Sequence, residues 1–278
     1  MICQWKEFLK LLPPCLREEV DKGYSQELLE LRLRIGQRPE LILKNRSALL
    51  NHKTDCQDLR FIINSVSQYS PWAVGTIKNG YVTANGGHRI GICGDVIVKD
   101  GNIIGIRDVS SLCLRVARSF QGISKSWLNE SVLIIGKPGS GKTTMLRDLI
   151  RQRSENGQGS VCVVDERCEL FPLIQGKYCF EPGPRTDILS GCDKADGIIM
   201  LLRCMCPSSI AVDEITAPED CDALLNAGWC GVKLLATAHA SDKYDLLHRP
   251  VYSSIIANRI FDTLVIMQPN KTWCAERM

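Results

Sequence analysis

A short apolar run that leads into a glycine-rich loop and a lysine constrains this chain more than any other feature. Residues 131–144 read SVLIIGKPGSGKTT and have the spacing G-x-x-x-x-G-K-[ST]. Glycines let backbone N–H groups surround phosphates because no side chain intervenes, and the helix that follows points its positive end at the anion. We therefore expect this loop to bind a nucleoside triphosphate, with the Thr143 hydroxyl on Mg²⁺. The residues expected to bind are Gly136, Lys137, Pro138, Gly139, Ser140, Gly141, Lys142, Thr143 and Thr144.

The sequence around the loop supplies the strand and the helix that such a site needs. Residues 132–135 are continuously apolar, as in a buried strand, and Met145, Leu146, Leu149 and Ile150 recur at helical spacing. The alternative is a flexible glycine loop with an unrelated lysine, and this context disfavours it.

Size and charge limit the function classes. The chain has 278 residues, which suggests about two domains. Its net charge is +3 and it has no run of five basic residues, so we expect no nucleic-acid partner. The longest apolar run, residues 198–202, is far shorter than the roughly 20 residues of a membrane helix, and no secretion signal is visible. We therefore expect a cytoplasmic chain without a membrane span.

Fourteen cysteines are scattered through apparent strands and helices, and Cys204 and Cys206 form the one tight pair. Because this pair lacks C-x-x-C spacing and a nearby histidine, it does not predict a zinc or iron–sulfur site. We expect free thiols that behave as small buried apolar side chains.

The apolar pattern divides the chain into residues 1–125, expected to form a small α+β domain, and residues 126–278. In the first part we predict a helical stretch over 5–22 that is interrupted at Pro13 and Pro14. A helix or a helix-to-strand transition should cover 27–34, with a strand at 39–44 and a helix at 58–69. An Asp-Gly turn between apolar runs, at residues 99–102, indicates an antiparallel hairpin.

In the second part strands and helices alternate, and the strands are nearly continuously apolar. This pattern predicts an α/β fold with a parallel sheet covered on both faces, in which ligands bind at the carboxyl ends of the strands. The predicted strands are 132–135, 161–165, 209–213, 233–238 and 263–267, and the predicted helices are 142–153, 194–205, 217–228 and 244–261.

Two of these strands end in an aspartate followed by a glutamate. We expect Asp213 to hold Mg²⁺ and Glu214 to polarise an attacking water as general base. Helix capping is the alternative, but residues 216–219 (TAPE) have the pattern of their own capping box. At Asp165 and Glu166 two interpretations stay open. They bind the metal or position water, which makes Asp165 a metal candidate and Glu166 a catalytic one, or they form an ion-pair cluster with Arg167.

His239 follows the strand at 233–238, and we expect it to sense the terminal phosphate rather than to be an ordinary loop residue. Phosphoryl transfer also needs positive charge on its transition state, often from an arginine of a neighbouring copy. The sequence does not choose among the candidates, which are Arg89, Arg107, Arg115, Arg118, Arg185 and Arg203.

The loop, the two acidic strand ends and His239 occur in the order seen in the ATPases of type II and type IV secretion systems, which this chain resembles. It resembles the stage III sporulation protein AA family still more closely, over roughly residues 25–268. The stretches that carry this likeness are GHRIGICG (87–94), VDER (164–167), GPRTD (183–187), DEITAPED (213–220), AGWCGV (227–232) and ATAH (236–239). Thr216 and Ala240 depart from the pattern, because glycine is expected there.

The resemblance implies a RecA-like phosphate-loop ATPase that uses ATP and Mg²⁺. It also implies a homo-oligomeric ring, expected to be a hexamer, at the base of a sporulation channel that other proteins build between mother cell and forespore. By position, Lys142 and Thr143 would serve the phosphates and Mg²⁺, Glu214 the base and His239 the sensor.

Two other functions are weighed against this one. A nucleic-acid-dependent motor on the same core is disfavoured by the weak charge and by the lack of a basic, aromatic-rich patch. A low-turnover scaffold that nucleotide switches is disfavoured by Glu214 beside Asp213, since a pure binder has no need of a base.

Overall fold

The structure, a computed structural model, describes residues 3–67, 80–124, 127–157, 159–174 and 176–278. The chain divides into two compact units. The first comprises Met1–Ser119 and Pro172–Phe180, and the second comprises Phe120–Phe171 and Glu181–Met278. A single cut after residue 125 does not describe the return of the chain at 172–180. This segment packs into the first unit, where the Gln4 side chain donates a hydrogen bond of 3.0 Å to the Cys179 carbonyl.

In the part of the first unit that the structure describes, three α-helices pack with an antiparallel sheet. The helices are α1 (Trp5–Lys10), α2 (Pro14–Asp21) and α3 (Cys56–Ser67). The strands are β1 (Leu28–Arg34), β2 (Glu40–Leu43), β3 (Ser47–Leu49), β4 (Tyr81–Thr83), β5 (Arg89–Lys99) and β6 (Asn102–Arg115), in the spatial order β3-β2-β1-β6-β5-β4. A separate two-stranded hairpin is formed by β9 (Leu173–Ile174) and β10 (Lys177–Tyr178).

Most predictions for this unit are confirmed. The helical stretch breaks at Pro13 and Pro14, and the β5–β6 hairpin turns through Asp100 and Gly101, which both have positive φ. The helix or helix-to-strand transition predicted at 27–34 is wrong: residues 28–34 form strand β1, although their leucines, glutamates and arginines favour a helix. Pairing with both β2 and β6 overrides that local preference. The predicted helix at 58–69 begins earlier, at Cys56, and its last two residues lie outside the described part of the chain.

The second unit is built on a seven-stranded sheet that is parallel except at one edge. Its order is β11-β8-β12-β13-β7-β14-β15. The strands are β7 (Val132–Ile135), β8 (Val161–Asp165), β11 (Thr186–Ser190), β12 (Ser209–Ile215), β13 (Lys233–Ala238), β14 (Thr263–Met267) and β15 (Trp273–Arg277). The helices are α4 (Lys142–Asn156), α5 (Lys194–Cys204), α6 (Pro218–Trp229), α7 (Lys243–His248) and α8 (Ser253–Ala257).

All five predicted strands of this unit are confirmed, and each contains at least four consecutive buried residues, as expected in the interior of a parallel sheet. The two edge strands, β11 and β15, were missed, since an edge strand is partly exposed and shows no continuous apolar signal. The single helix predicted at 244–261 is wrong. Pro250 cannot donate to the preceding turn, and the segment splits into α7, a 3-10 turn at Pro250–Tyr252 and α8.

The cysteines and the absence of a predicted membrane span can also be compared with the structure. All fourteen cysteines are free, but the expectation that they are buried is wrong for most of them. Only Cys162, Cys179 and Cys221 are buried, and seven are exposed. Within the described ranges, no helix combines the length and the apolar character required to cross a lipid bilayer.

Candidate active site

The phosphate loop leaves β7 at Gly136 and enters α4 at Lys142. A Cβ atom at Gly136 would lie 2.6 Å from the Ser140 Oγ atom and 2.9 Å from the Met267 Cβ atom, so only glycine fits there. Gly141 precedes the helix with a φ of 104°, a left-handed conformation that glycine adopts without strain. The turn therefore requires glycine at two positions for different reasons: Gly136 because a side chain would not fit, and Gly141 because of its backbone conformation.

Lys142 points back over the loop. Its Nζ atom donates to the carbonyl oxygens of Gly136 at 2.9 Å and Lys137 at 3.2 Å, and it lies 3.3 Å from the His239 Nδ1 atom. Burial lowers the pKa of Lys142, and the nearby carboxylates of Asp213 and Glu214 oppose that shift. The Lys142 ammonium thus lies among the carbonyl groups of the phosphate loop, where it would contact an anion bound in the loop.

Three oxygen-bearing side chains meet beside this lysine. The Thr143 hydroxyl donates to Asp213 Oδ2 at 2.8 Å, and the Thr237 hydroxyl donates to Asp213 Oδ1 at 2.5 Å. A hydroxyl next to a carboxylate is a donor set suited to Mg²⁺, which prefers oxygen ligands. Thr143 and Asp213 therefore fit the metal role expected of them, and they are the residues that would hold the ion.

A bulge in β12 brings both of its terminal acids to the same place. In a regular strand neighbouring side chains point to opposite faces, so Asp213 and Glu214 would diverge. The pairing of β12 with β13 shifts register between Val212 and Ile215, and Glu214 has a φ of 54°. The Glu214 N–H donates to the Thr237 hydroxyl at 2.8 Å and so fixes this strained conformation.

Glu214 is the centre of a short polar chain. Its Oε1 atom lies 2.7 Å from His239 Nε2, and its Oε2 atom accepts from Arg167 Nη1 at 2.9 Å. The Lys142 ammonium can only donate a hydrogen bond, so Nδ1 of His239 accepts it. The Nε2–H group of His239 then donates a hydrogen bond to Glu214. The imidazole therefore connects the loop lysine to the candidate base.

Asp165, at the neighbouring strand end, faces a different environment. It is 2% exposed, and its carboxylate accepts the backbone N–H groups of Glu169, Leu170 and Phe171 at 2.8 to 3.1 Å. Burial raises the pKa of Asp165, and these three hydrogen bonds work against that rise. Both oxygens are engaged by the loop that follows, a geometry that supports that loop and does not favour metal binding.

Glu166 and Arg167, the other two residues of the cluster proposed with Asp165, form ion pairs with residues outside it. Glu166 forms an ion pair with Lys194, and Arg167 contacts Glu214 rather than the two acids that precede it.

The capping box expected at 216–219, before α6, is shifted by one residue. The N–H groups of Thr216 and Ala217 donate to Asp220, not to Glu219.

The arginines considered for the transition state are in contrasting situations. Arg185 donates to the carbonyls of Ser154 and Glu155 at the end of α4, and Arg118 donates to the carbonyls of Ser25 and Leu28. Arg115 pairs with Glu30, Arg89 stacks on the Tyr81 ring, and Arg107 and Arg203 are exposed.

The sequence assigned no role to Thr237, and it gave Arg167 only a possible ion pair with Asp165 and Glu166, not the contact with Glu214. Thr237 is fully buried, yet it contacts both acids of β12. The signal for it was a hydroxyl in an otherwise apolar strand, next to the acid-bearing strand. Arg167 gave no signal beyond its place after Asp165 and Glu166.

Comparison with known proteins identifies a family whose sequences this chain matches. The family model described as "Sporulation stage III, protein AA" matches residues 5–275. The stage III sporulation protein AA of Bacillus subtilis (strain 168) is 37% identical over 273 residues, which is 92% of this chain and 88% of that protein.

Two solved structures share the fold. The ATPase DotB of Legionella pneumophila superposes with a TM-score of 0.63 at 18% identity, over 96% of this chain and 80% of that one. The pilus retraction motor PilT with bound ADP gives a TM-score of 0.59 at 16% identity, over 91% and 76%. These similarities confirm the predicted α/β, RecA-like fold with a smaller α+β unit before it.

Proposed function

This chain belongs to the sporulation stage III protein AA family, and on that premise we propose that it is a Mg²⁺-dependent ATPase acting in sporulation. The observation that carries the proposal is the bulged end of β12. There Asp213 lies 2.8 Å from the first hydroxyl of α4, and Glu214 lies beside it in a strained conformation. Strained backbone of this kind clusters at active sites, and a nucleotide-binding scaffold alone has no use for the second acid.

Each residue has a part in this proposal. Backbone N–H groups of residues 136–137 and 139–144, together with the Lys142 ammonium, bind the phosphates, and Pro138 only shapes the loop because it has no N–H. Thr143 and Asp213 hold Mg²⁺, which supplies neutralising charge when bound. Glu214 accepts the proton of the attacking water. His239 positions Glu214 and, through its contact with Lys142, couples the base to the phosphates.

We further propose that the protein works as a homo-oligomeric ring, expected to be a hexamer, docked on other proteins of a sporulation channel at a membrane. A neighbouring copy would supply the arginine for the transition state. The resemblance to secretion ATPases supports this. Arg185 is a poor candidate for that arginine, because it donates to backbone carbonyls of its own chain. Mass in solution with and without ATP tests the ring, and a strict monomer at high concentration with ATP would contradict it.

The activity itself is tested by turnover of three proteins. The parent should hydrolyse ATP only with Mg²⁺. Lys142→Ala should lose nucleotide binding, whereas Glu214→Gln should bind a fluorescent ATP analogue with the parent's affinity and lose hydrolysis. Equal turnover in Glu214→Gln and the parent would remove Glu214 from the base role. Strong stimulation by single-stranded DNA would instead favour a nucleic-acid motor.

A further inference from the structure

Three side chains with metal-binding donors converge in the first unit. Cys15 lies on α2, His52 lies between β3 and α3, and Asp58 lies in the first turn of α3. One donor atom from each, a sulfur, a ring nitrogen and a carboxylate oxygen, lies within 4.8 Å of the other two. The His52 Nε2 atom is 2.6 Å from Asp58 Oδ2. None of these residues takes part in the candidate active site.

The fold holds the three segments in place independently of any ion. Glu19, four residues after Cys15 on the same helical face, accepts the N–H of Asn51 at 3.1 Å and so fixes the segment that carries His52. Asp58 is oriented by the start of its own helix. It accepts the N–H of Asp55 at 3.0 Å, while the Asp55 side chain accepts the N–H of Asp58 at 2.9 Å. Outer-shell hydrogen bonds of this kind orient metal ligands in advance.

From this arrangement we propose that Cys15, His52 and Asp58 form a Zn²⁺ site. Thiolate, imidazole and carboxylate are the ligands zinc takes, and three of them leave the fourth tetrahedral position for water. Asp58 is buried, His52 is partly buried and Cys15 is exposed, so the ion would sit at the surface with an approach from solvent. Two ligand atoms on tetrahedral zinc are about 3.3 Å apart, so the His52–Asp58 pair would open by about 0.7 Å.

The site would join elements that are distant in sequence. Zinc bound here would connect α2, the segment after β3 and the start of α3. Metal binding to a folded arrangement adds its free energy to folding, so the ion would stabilise the first unit. The competing interpretation is a His–Asp hydrogen bond beside an unrelated exposed thiol, and the two make different predictions.

The experiment uses the full-length protein, kept reduced with a non-thiol reductant, and Co²⁺ or Zn²⁺ as the probe. The variants are Cys15→Ser and His52→Ala. The matched control is Cys56→Ser, which removes an exposed cysteine from the first residue of α3 without touching the cluster. The parent and Cys56→Ser should show the thiolate-to-cobalt charge-transfer band and a rise in melting temperature with Zn²⁺. Both signals should disappear in Cys15→Ser.

Affinity gives the quantitative test. Competition with a chromophoric chelator should show at least about a 100-fold loss of Zn²⁺ affinity in Cys15→Ser and His52→Ala, larger than the loss from most outer-shell changes. The proposal is overturned if the parent shows no cobalt–thiolate band. It is equally overturned if the band survives in Cys15→Ser, or if Cys56→Ser removes it to the same extent.

Discussion

Two neighbouring strands of the parallel sheet end in the same dipeptide, and the structure treats them in opposite ways. β8 and β12 pair in register up to Val164 and Val212, so Asp165 and Asp213 are the next residues along the same edge. Asp165 is enclosed by three backbone N–H groups of its own loop. Asp213 instead accepts hydroxyls from two other elements, through Thr143 and Thr237.

The difference lies in the chain that follows each strand. After β8 the chain turns back over Asp165, and the Arg147 guanidinium holds this turn through the carbonyls of Glu169 and Leu170. After Asp213 the strand bulges, and Asp213 contacts Thr143 at the start of α4 while Glu214 contacts His239. An acid whose oxygens are satisfied by its own loop maintains structure, whereas an acid that reaches another element's hydroxyl can exchange that partner for an ion.

The largest expected effect separates the two glutamates. Glu214→Gln should lower turnover about 10²- to 10⁴-fold, because the amide cannot take a proton, while binding of ATP is kept. Glu166→Gln, the matched variant, should stay within a few-fold of the parent because Glu166 pairs with Lys194. Single-turnover hydrolysis and analogue binding measure both quantities. Similar losses in the two variants would break the comparison and return Glu166 to the catalytic set.

The two aspartates should differ in kind. Asp213→Asn should raise the Mg²⁺ concentration needed for half-maximal turnover at least about tenfold, because a charged oxygen ligand is lost. Asp165→Asn should leave that Mg²⁺ dependence unchanged. It should destabilise the fold by about 2 kcal/mol, since the new NH₂ group faces backbone donors that are then left unsatisfied. Mg²⁺ titration and denaturant unfolding test the pair, and an altered Mg²⁺ dependence in Asp165→Asn would contradict the structural role.

Thr237→Val should produce an intermediate effect. The valine keeps the volume but removes the donor to Asp213 and the acceptor for the Glu214 N–H. A loss of about 1–2 kcal/mol in positioning corresponds to roughly tenfold slower turnover. Thr237→Ser is the control, because it restores the hydroxyl. A purely structural role would lower stability in Thr237→Val without changing kcat or the Mg²⁺ requirement.

The strands of the parallel sheet were predictable because each is a short, nearly continuous apolar run, such as residues 161–165, and such runs alternate with helical segments. The phosphate loop was predictable because its steric demands select glycine at Gly136 and Gly141. The edge strands were not predictable, since β15 is paired on one side and exposed, and its composition does not distinguish it from a loop.

The candidate site was predictable in its parts but not in its connections. Asp213, Glu214 and His239 are brought together as expected. The sequence favoured a metal role for Asp213 but left Asp165 open between metal binding and an ion-pair cluster, because both strand ends have the same Asp-Glu dipeptide. What distinguishes them is a loop that wraps back and a bulge that shifts register, and both depend on tertiary contacts such as Arg147 with the carbonyl of Leu170.

The smallest expected effect concerns Arg167, which links the two strand ends by reaching from β8's loop to Glu214. Its side chain is 52% exposed, so the ion pair should contribute under about 1 kcal/mol to stability. The contact occupies the Glu214 Oε2 atom, so this oxygen is less available to accept a proton from water. Arg167→Ala should therefore raise turnover about two- to threefold at neutral pH, and Arg60→Ala, at an exposed arginine outside the candidate site, should not. A clear fall in turnover for Arg167→Ala would mean that the contact positions the base rather than restrains it, and the acid-bearing end of β8 would then act in the reaction through its arginine.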